Sequence, residues 1–174
     1  MKTIGLFYAM NAAKTSHIAE KIREDLGGVK VIEVVLIEKA WQNDFQAYDN
    51  MIVGASTWFD GELPTYWDEL VPELESLDLK GKKVAIFGLG DQKNYPDNFV
   101  DGMGILADAF QKAGAELVGF TSTDGYTFNQ SSAVRGEKFC GLVIDQENQA
   151  QLTSKRIADW CKLIKEDFTS NKKE

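Results

Sequence analysis

The chain has 174 residues, 44% hydrophobic and 26% charged, with a formal net charge of −8 at neutral pH. This length is typical of one domain that buries about 70% of its unfolded surface, and we expect residues 1–169 to form it, followed by a frayed tail over 170–174. The negative charge argues against nucleic acid as a partner, and no segment approaches the roughly 20 apolar residues of a membrane span.

The cysteine content and the N-terminus bear on the compartment. Cys140 and Cys161 match no metal-binding or redox spacing, which indicates free thiols in a reducing environment. The N-terminus MKTIGLFYA leads directly into a predicted strand and has no cleavage-site pattern, so we expect no signal peptide. These features predict a cytoplasmic protein.

The first half of the chain alternates strands with helices. A helix is predicted around Ile18 and Ile22, with Thr15 as its cap and Gly27–Gly28 as its stop. A weak helix is predicted near 41–46. The strands are predicted over 3–8, 29–36 and 50–55.

The second half continues this alternation until residue 120. Helices are predicted over 66–77 and 99–113, and strands over 83–88 and 115–120. Residues 121–140 are rich in Thr, Ser, Gly and Asn and indicate an insertion, after which a strand over 141–145 and a helix over 150–167 complete the pattern. Such alternation predicts an α/β fold, a doubly wound parallel sheet with right-handed crossovers and helices on both faces.

Three segments fall where a predicted strand ends and a helix follows. We refer to residues 7–15 as the first loop, 55–62 as the second loop and 87–95 as the third loop. Ligands of open α/β sheets bind outside the carboxyl ends of the strands. The three loops are therefore the candidate binding site.

The first loop has the character of an anion site. Ala9, Ala12 and Ala13 are small enough to let the backbone approach a phosphate, and Thr15 adds a hydroxyl and Lys14 a charge. The start of the following helix favours an anion through its N–H groups and its dipole. The loop does not match the nucleotide-binding pattern GxxxxGK[ST], and an ordinary strand-to-helix turn is the alternative.

The second and third loops contribute aromatic rings. Trp58 and Phe59 precede Gly61, and Tyr95 follows the glycines of the third loop. Two aromatic rings on adjacent loops can sandwich a planar ligand, each stack contributing about 0.5–1.5 kcal/mol beyond area burial. Each ring alone could equally pack in the core, but together with the first loop they favour a ligand.

The sequence offers no set of catalytic side chains. Its one histidine, His17, lies on the first predicted helix and is expected to be exposed. We find neither a Ser-His-Asp pattern nor an activated Cys-His pair nor a cluster of metal ligands. The chemistry is therefore expected to come from a bound redox cofactor.

Several motifs together resemble the long-chain flavodoxin family over nearly the whole chain. They are GLFY at 5–8, STW at 56–58, GEL at 61–63, FGLGDQ at 87–92, STDGYTF at 122–128, FCGLVID at 139–145 and ENQxxLTxxRIxxW at 147–160. The resemblance implies a five-stranded parallel sheet in the order 2-1-3-4-5 with the insertion in the fifth strand. It also implies non-covalent FMN and one-electron transfer between redox proteins, without turnover of a substrate. Acids placed around such a ring, Asp60, Glu62, Asp68 and Asp91, would oppose its fully reduced, negatively charged form, which predicts a low-potential carrier.

The resemblance assigns the cofactor contacts to particular positions. Trp58 and Tyr95 would cover the two faces of the flavin ring. The phosphate would be held by Met10, Asn11, Ala12, Ala13, Lys14 and Thr15. The other implied contacts are Ser56, Thr57, Phe59, Asp60, Gly61, Leu89, Gly90, Asp91, Asn98 and Glu147.

The phosphate segment departs from the family pattern S/T-x-T-G-x-T. Met10, Ala12 and Ala13 replace both hydroxyls and the glycine, which predicts weaker FMN binding, and Ala13 would be strained if its position required a positive φ. A flavodoxin-like binding module that has lost FMN is therefore one alternative. A reductase that uses NAD(P)H directly is another.

Charge is distributed unevenly along the chain. No base lies between Lys39 and Lys80, whereas nine acids do. A negative surface near the second loop would steer basic partners, although a merely solvated face is the alternative. The resemblance implies a monomer that transiently binds basic redox proteins, such as a reductase of the ferredoxin–NADP type, photosystem I or another low-potential donor or acceptor.

Overall fold

The computed structural model describes residues 3–10, 12–57 and 61–170. Its strands are β1 (Ile4–Tyr8), β2 (Ile32–Leu36), β3 (Asn50–Ser56), β4 (Lys83–Leu89), β5 (Glu116–Val118), β6 (Thr121–Ser122), β7 (Val134–Arg135), β8 (Lys138–Phe139) and β9 (Gly141–Ile144). Strands β2-β1-β3-β4-β5 form a parallel sheet in that order. This confirms the predicted sheet order.

Helices cover both faces of the sheet. They are α1 (Ala13–Asp25), α2 (Gln42–Gln46), α3 (Thr65–Glu75), α4 (Asp101–Lys112), α5 (Gln146–Gln149) and α6 (Thr153–Thr169). Helices α3 and α4 pack together on one face, and α1 and α6 on the other. None of the described helices is long and apolar enough to cross a bilayer.

Two segments share the position beside β4. β5 pairs with the first part of β4, and β9 pairs with its last four residues, Ile86–Leu89. Residues 119–140 connect these two segments, and β6, β8 and β7 form a small antiparallel sheet within this stretch. This stretch includes residues 121–140, the predicted insertion, and we use "the insertion" below as a name for residues 119–140.

The parallel strands all end at the same edge of the sheet, and the core holds those ends in place. Every residue of β1, β4 and β9 is buried, as expected for parallel strands covered on both sides. Trp67 of α3 and Trp160 of α6 anchor the two layers, and each indole N–H donates to a backbone carbonyl, of Gly54 and Gly119 respectively. The loops that follow β1, β3 and β4 are thereby fixed side by side.

Some predicted element boundaries were wrong. Residues Gly28–Lys30 form a 3-10 turn instead of the start of β2, because Gly27 and Gly28 have positive φ. β5 ends at Val118 because Gly119 has a φ of +79° and lies against the Trp160 ring. The predicted tail over 170–174 lies outside the described residues apart from Ser170, which follows α6.

Candidate functional site

An open cleft lies at the carboxyl ends of β1, β3 and β4. Its volume is about 440 Å³, within the range of about 300–1,000 Å³ that small-molecule sites occupy. The sequence-predicted residues that line it are Ala12, Ala13, Lys14, Thr15, Ser56, Thr57, Leu89, Gly90, Asp91, Tyr95 and Glu147. Ala9 of the first loop also lines it, whereas Pro64, Tyr66 and Gln146 line it without having been predicted.

The missed residues had weak signals in the sequence. Gln146 opens α5 beside the predicted Glu147. Pro64 and Tyr66 flank the start of α3, just after the GEL motif. Each of them lies within three residues of a predicted site residue or motif.

The remaining predicted residues lie elsewhere or outside the description. Asn11, Trp58, Phe59 and Asp60 are outside the described residues. Met10, Gly61 and Asn98 do not line the cleft. Met10 is 56% exposed, and Gly61, with a φ of +90°, lies against Asn98 and the Asp101 carboxylate. For all of these, a role in binding stays a prediction.

The first loop enters α1 without a capping side chain. Ala12 is the N-cap residue, and Ala13 is the first helical residue. The opening N–H groups of a helix have no partner within the helix, and the N-cap residue Ala12 provides no side-chain hydrogen bond to them. Ala13 is helical rather than strained, since Val100 is the one described non-glycine residue with positive φ.

Thr15 does not cap α1 as predicted, because the helix begins two residues earlier and Thr15 is its third residue. Its side chain is 1% exposed, and its Oγ has no hydrogen-bond partner among the described residues. An unsatisfied buried hydroxyl costs about 1–3 kcal/mol. Because Thr15 lines the cleft beside the α1 N-terminus, this hydroxyl fits a donor to an anionic group.

A charged pair spans the cleft. The Lys14 ammonium of α1 donates to the Glu147 carboxylate of α5. Both side chains are well exposed, at 65% and 49%, so water screens the pair and its contribution to stability is small. The pair brings the first loop together with the segment after β9.

The described part of the second loop is anchored to α4. The backbone N–H of Gly102 donates to Thr57 Oγ1 at 3.0 Å. The backbone N–H of Thr57 donates to the Leu89 carbonyl at 3.4 Å. The Thr57 hydroxyl therefore serves the scaffold, in contrast to the unpaired Thr15 hydroxyl.

The third loop is held by the carboxylate of Asp91. Oδ1 accepts from the side chain of Asn148 at 2.8 Å and from the backbone N–H groups of Asn94 and Lys93, and Oδ2 accepts from Asn94 Nδ2 at 2.7 Å. Desolvation raises the pKa of Asp91, but these hydrogen bonds outweigh it and leave the pKa below its usual value. The cleft therefore carries a fixed negative charge at neutral pH.

Close packing explains the glycine of the third loop. A Cβ at Gly90 would lie 2.8 Å from Val100 Cγ1 and 2.9 Å from the Phe99 ring. Val100 is buried, with φ of 48° and ψ of 32°, a strained conformation for a β-branched residue. Residue 90 therefore has no room for a side chain, and the cleft is lined there by backbone atoms.

The described lining of the cleft contains an aromatic ring and no histidine. His17 is exposed on α1, as predicted, and the described residues contain no group of His, Cys, Asp or Glu that could hold a metal. Tyr95 presents an aromatic ring that is 47% exposed at the cleft. The arrangement can hold a planar, anionic ligand.

The chain belongs to the flavodoxin family. The family model described as Flavodoxin matches residues 6–160. Flavodoxin from Synechococcus elongatus is 44% identical over 168 residues, covering 97% of this chain and 99% of the relative. Flavodoxin from Klebsiella pneumoniae is 42% identical over 173 residues, covering 95% and 98%.

Solved structures agree with this assignment. The flavodoxin of Fusobacterium nucleatum bound to flavin mononucleotide superimposes with a TM-score of 0.90 at 36% identity, covering 96% of this chain and 99% of that one. A mutant of that flavodoxin, also bound to flavin mononucleotide, gives the same TM-score at 37% identity, covering 96% and 97%. The likeness extends over nearly the full length of both chains.

Proposed function

We propose that this chain is an FMN-binding, low-potential electron carrier that moves single electrons between redox proteins and turns over no substrate of its own. The observation that carries the proposal is that one cleft contains both the buried Thr15 hydroxyl at a helix N-terminus, which has no partner among the described residues, and the exposed Tyr95 ring. FMN has the matching parts, a phosphate and a planar ring.

The phosphate belongs on the first loop. Thr15 Oγ and the opening N–H groups of α1 would donate to it, and Lys14 would add positive charge. Tyr95, Leu89 and Gly90 line the part of the cleft next to the third loop and would hold the flavin ring. Trp58, outside the described residues, is assigned to the opposite ring face from its sequence position alone.

FMN supplies the one-electron chemistry, and the chain sets the charge around it. Asp91 is kept ionised by its hydrogen bonds, and Glu62 is exposed at the end of the second loop. Negative charge near the ring opposes the addition of more negative charge. We therefore assign the carrier a low reduction potential.

The surface charge favours basic partners. Helix α3, which follows the second loop, carries four acids and no base. Helix α6, on the opposite face, carries four bases and three acids. A reductase of the ferredoxin–NADP type, photosystem I or another low-potential donor or acceptor fits this polarity, and binding is transient to a monomer of this chain.

The compartment we assign is the cytoplasm. Cys140 and Cys161 are both free and buried, and burial raises the pKa of each thiol, to about 11 and about 12. The thiols are thus protonated at neutral pH. Free cysteines are usual in reducing compartments.

The two alternatives are weaker. A binding module without FMN has no support in the comparisons, and the helical backbone of Ala13 removes the strain that would have favoured it. A reductase acting directly on NAD(P)H would need a nicotinamide site beside the flavin cleft, and no feature of the described residues argues for one.

A reconstitution experiment tests the proposal. Purified chain is loaded with FMN and mixed with NADPH, with and without a ferredoxin–NADP reductase, while flavin absorbance is followed. We expect a yellow protein that is reduced only when the reductase is present, at a rate that falls as salt is added. A colourless protein that takes up no FMN would contradict the carrier, and reduction by NADPH alone would favour the enzyme.

A further inference from the structure

The loop that carries Tyr95 has no regular secondary structure between β4 and α4. An aromatic ring that stacks on a ligand must be held in place before binding, otherwise binding has to order it. The contacts that hold this loop in place before binding therefore contribute to ligand affinity. The hydrogen bonds of Gln92 are such contacts.

We infer that Gln92 is a positioning residue, which ties the Tyr95 loop both to the buried carboxylate of Asp145 and to the insertion. This inference rests on the proposed function, since it concerns the same cleft. Gln92 is 6% exposed and does not line the cleft. It acts on the ligand only through the loop.

Asp145 is the fixed point of this arrangement. It follows β9 and is fully buried. Asp145 Oδ2 accepts from Gln92 Nε2 at 2.7 Å and from the Gln92 backbone N–H at 3.1 Å. Asn148 donates to the same carboxylate through its backbone and its side chain. A buried carboxylate needs such donors, so the loop is bound to the sheet at Gln92.

The other end of the Gln92 amide faces the insertion. Gln92 Oε1 accepts from the Thr127 backbone N–H at 2.7 Å. The side chain thus donates to Asp145 and accepts from Thr127 at the same time, which fixes the orientation of its amide. Glutamate at position 92 would lack the N–H donor to Asp145, and methionine would lack both this donor and the acceptor for Thr127.

The insertion also holds the loop on the far side of Tyr95. The Pro96 carbonyl accepts from the backbone N–H groups of Asn129 and Gln130, at 2.7 and 3.0 Å. The Phe99 backbone N–H donates to the Gln130 carbonyl at 3.1 Å. Tyr95 therefore lies between two tethered points, Gln92 and Pro96, and both tethers lead to the insertion.

The test is a double-mutant cycle on FMN affinity. Gln92→Met and Gln92→Ala are made in the natural chain and in a Tyr95→Ala background, and FMN binding is titrated by flavin fluorescence. We expect each Gln92 variant to weaken binding about tenfold in the natural chain, and less than about twofold once Tyr95 is absent. An equal loss in both backgrounds would overturn the inference.

A matched control separates positioning from general loosening of the insertion. The side chain of Gln149 donates to the Gly125 carbonyl of the insertion and accepts from Arg156, and neither of these two hydrogen bonds involves the Tyr95 loop. Gln149→Ala should leave FMN affinity within about twofold. If it weakens binding as much as Gln92→Met does, the effect belongs to the insertion as a whole and the specific role of Gln92 is wrong.

Two further outcomes are decisive. Gln92→Met keeps the side-chain volume, so it serves where Gln92→Ala fails to fold, and far-UV circular dichroism of the apoprotein checks each variant. Unchanged FMN affinity in a folded Gln92→Met chain would refute the positioning role. Failure of the natural chain to take up FMN would instead refute the proposed function.

Discussion

The first and third loops face each other across the cleft and are built in opposite ways. In the first loop, Thr15 Oγ has no partner among the described residues, and α1 begins without a capping side chain. The third loop satisfies the Asp91 carboxylate with four hydrogen bonds and is tethered through Gln92 and Pro96. The first loop has polar groups left for a ligand, whereas the polar groups named in the third loop are hydrogen-bonded within the protein.

The difference shows that the two loops contribute to binding in different ways, the first through free donors and the third through a pre-ordered aromatic ring. Unsatisfied donors cost stability in the empty protein and are compensated when an anion binds. A pre-ordered loop costs nothing further on binding, so its aromatic ring contributes its full contact energy. Variants on the two loops should therefore separate binding from stability.

The largest effect is expected at Thr15. Thr15→Ala removes the buried cleft hydroxyl that we assign to the phosphate, and a hydrogen bond to a charged group contributes about 1.5–3 kcal/mol. FMN affinity should fall about 10- to 150-fold, measured by fluorescence titration. The free energy of unfolding of the apoprotein should hold or rise slightly, because the unsatisfied hydroxyl is gone.

Thr15→Ser is the control for this substitution. Serine keeps the hydroxyl and loses only a methyl group, so FMN affinity should stay within a few-fold of the natural chain. If serine and alanine weaken binding equally, the hydroxyl is not the phosphate donor and the contrast between the two loops is lost.

An intermediate effect is expected at Asp91, now on stability. Its hydrogen bonds hold its pKa below the ordinary value of 3.8, so the folded state favours the ionised group. That stabilisation is present above the ordinary pKa and is lost as pH falls through the lowered one. Asp91→Asn should lower the melting temperature of the apoprotein at pH 7 by about 2–4 °C, corresponding to about 1 kcal/mol.

Acid titration of thermal unfolding checks this prediction. The difference between Asp91→Asn and the natural chain should shrink as the pH falls below the ordinary pKa of the carboxyl. Asp159→Asn is the control, since Asp159 is also ionised but pairs with Lys155 on the exposed face of α6, where such pairs stabilise little. A pH-independent difference at Asp91 would contradict the assignment.

The smallest effect is expected for the exposed pair that joins Lys14 to Glu147. Lys14→Gln should weaken FMN binding only a few-fold, and Glu147→Gln should leave it unchanged or slightly tighter because Lys14 becomes free for the phosphate. Both changes should disappear in high salt. Titrations at two ionic strengths measure this, and a large, salt-independent loss in Lys14→Gln would give this lysine a greater role than the structure suggests.

Much of this comparison could be predicted from the sequence. The periodicity of apolar residues predicted the parallel sheet, and small residues at the strand ends predicted the loops that line the cleft. The role of Thr15 as a cap was wrong, because Ala12 and Ala13 enter the helix earlier than a capping side chain would suggest. A sequence pattern can indicate a capping residue, but it does not indicate a helix that begins without one.

The hydrogen bonds of the third loop could not be predicted. Gln92 lies 35 residues from Thr127 and 53 from Asp145, and only the fold brings them together. The strain at Val100 likewise follows from the close packing of Phe99 and Val100 on Gly90. Such features depend on tertiary contacts and leave no local signal.

The most direct test of the central claim, that the first loop binds the phosphate and the third loop the ring, is a paired titration of FMN and of riboflavin, which lacks the phosphate. The natural chain should bind FMN at least about tenfold more tightly than riboflavin, Thr15→Ala should reduce that ratio, and Tyr95→Ala should weaken both ligands equally. Equal affinity of the natural chain for the two ligands, or a ratio unaffected by Thr15→Ala, would contradict the assignment of the phosphate to the first loop.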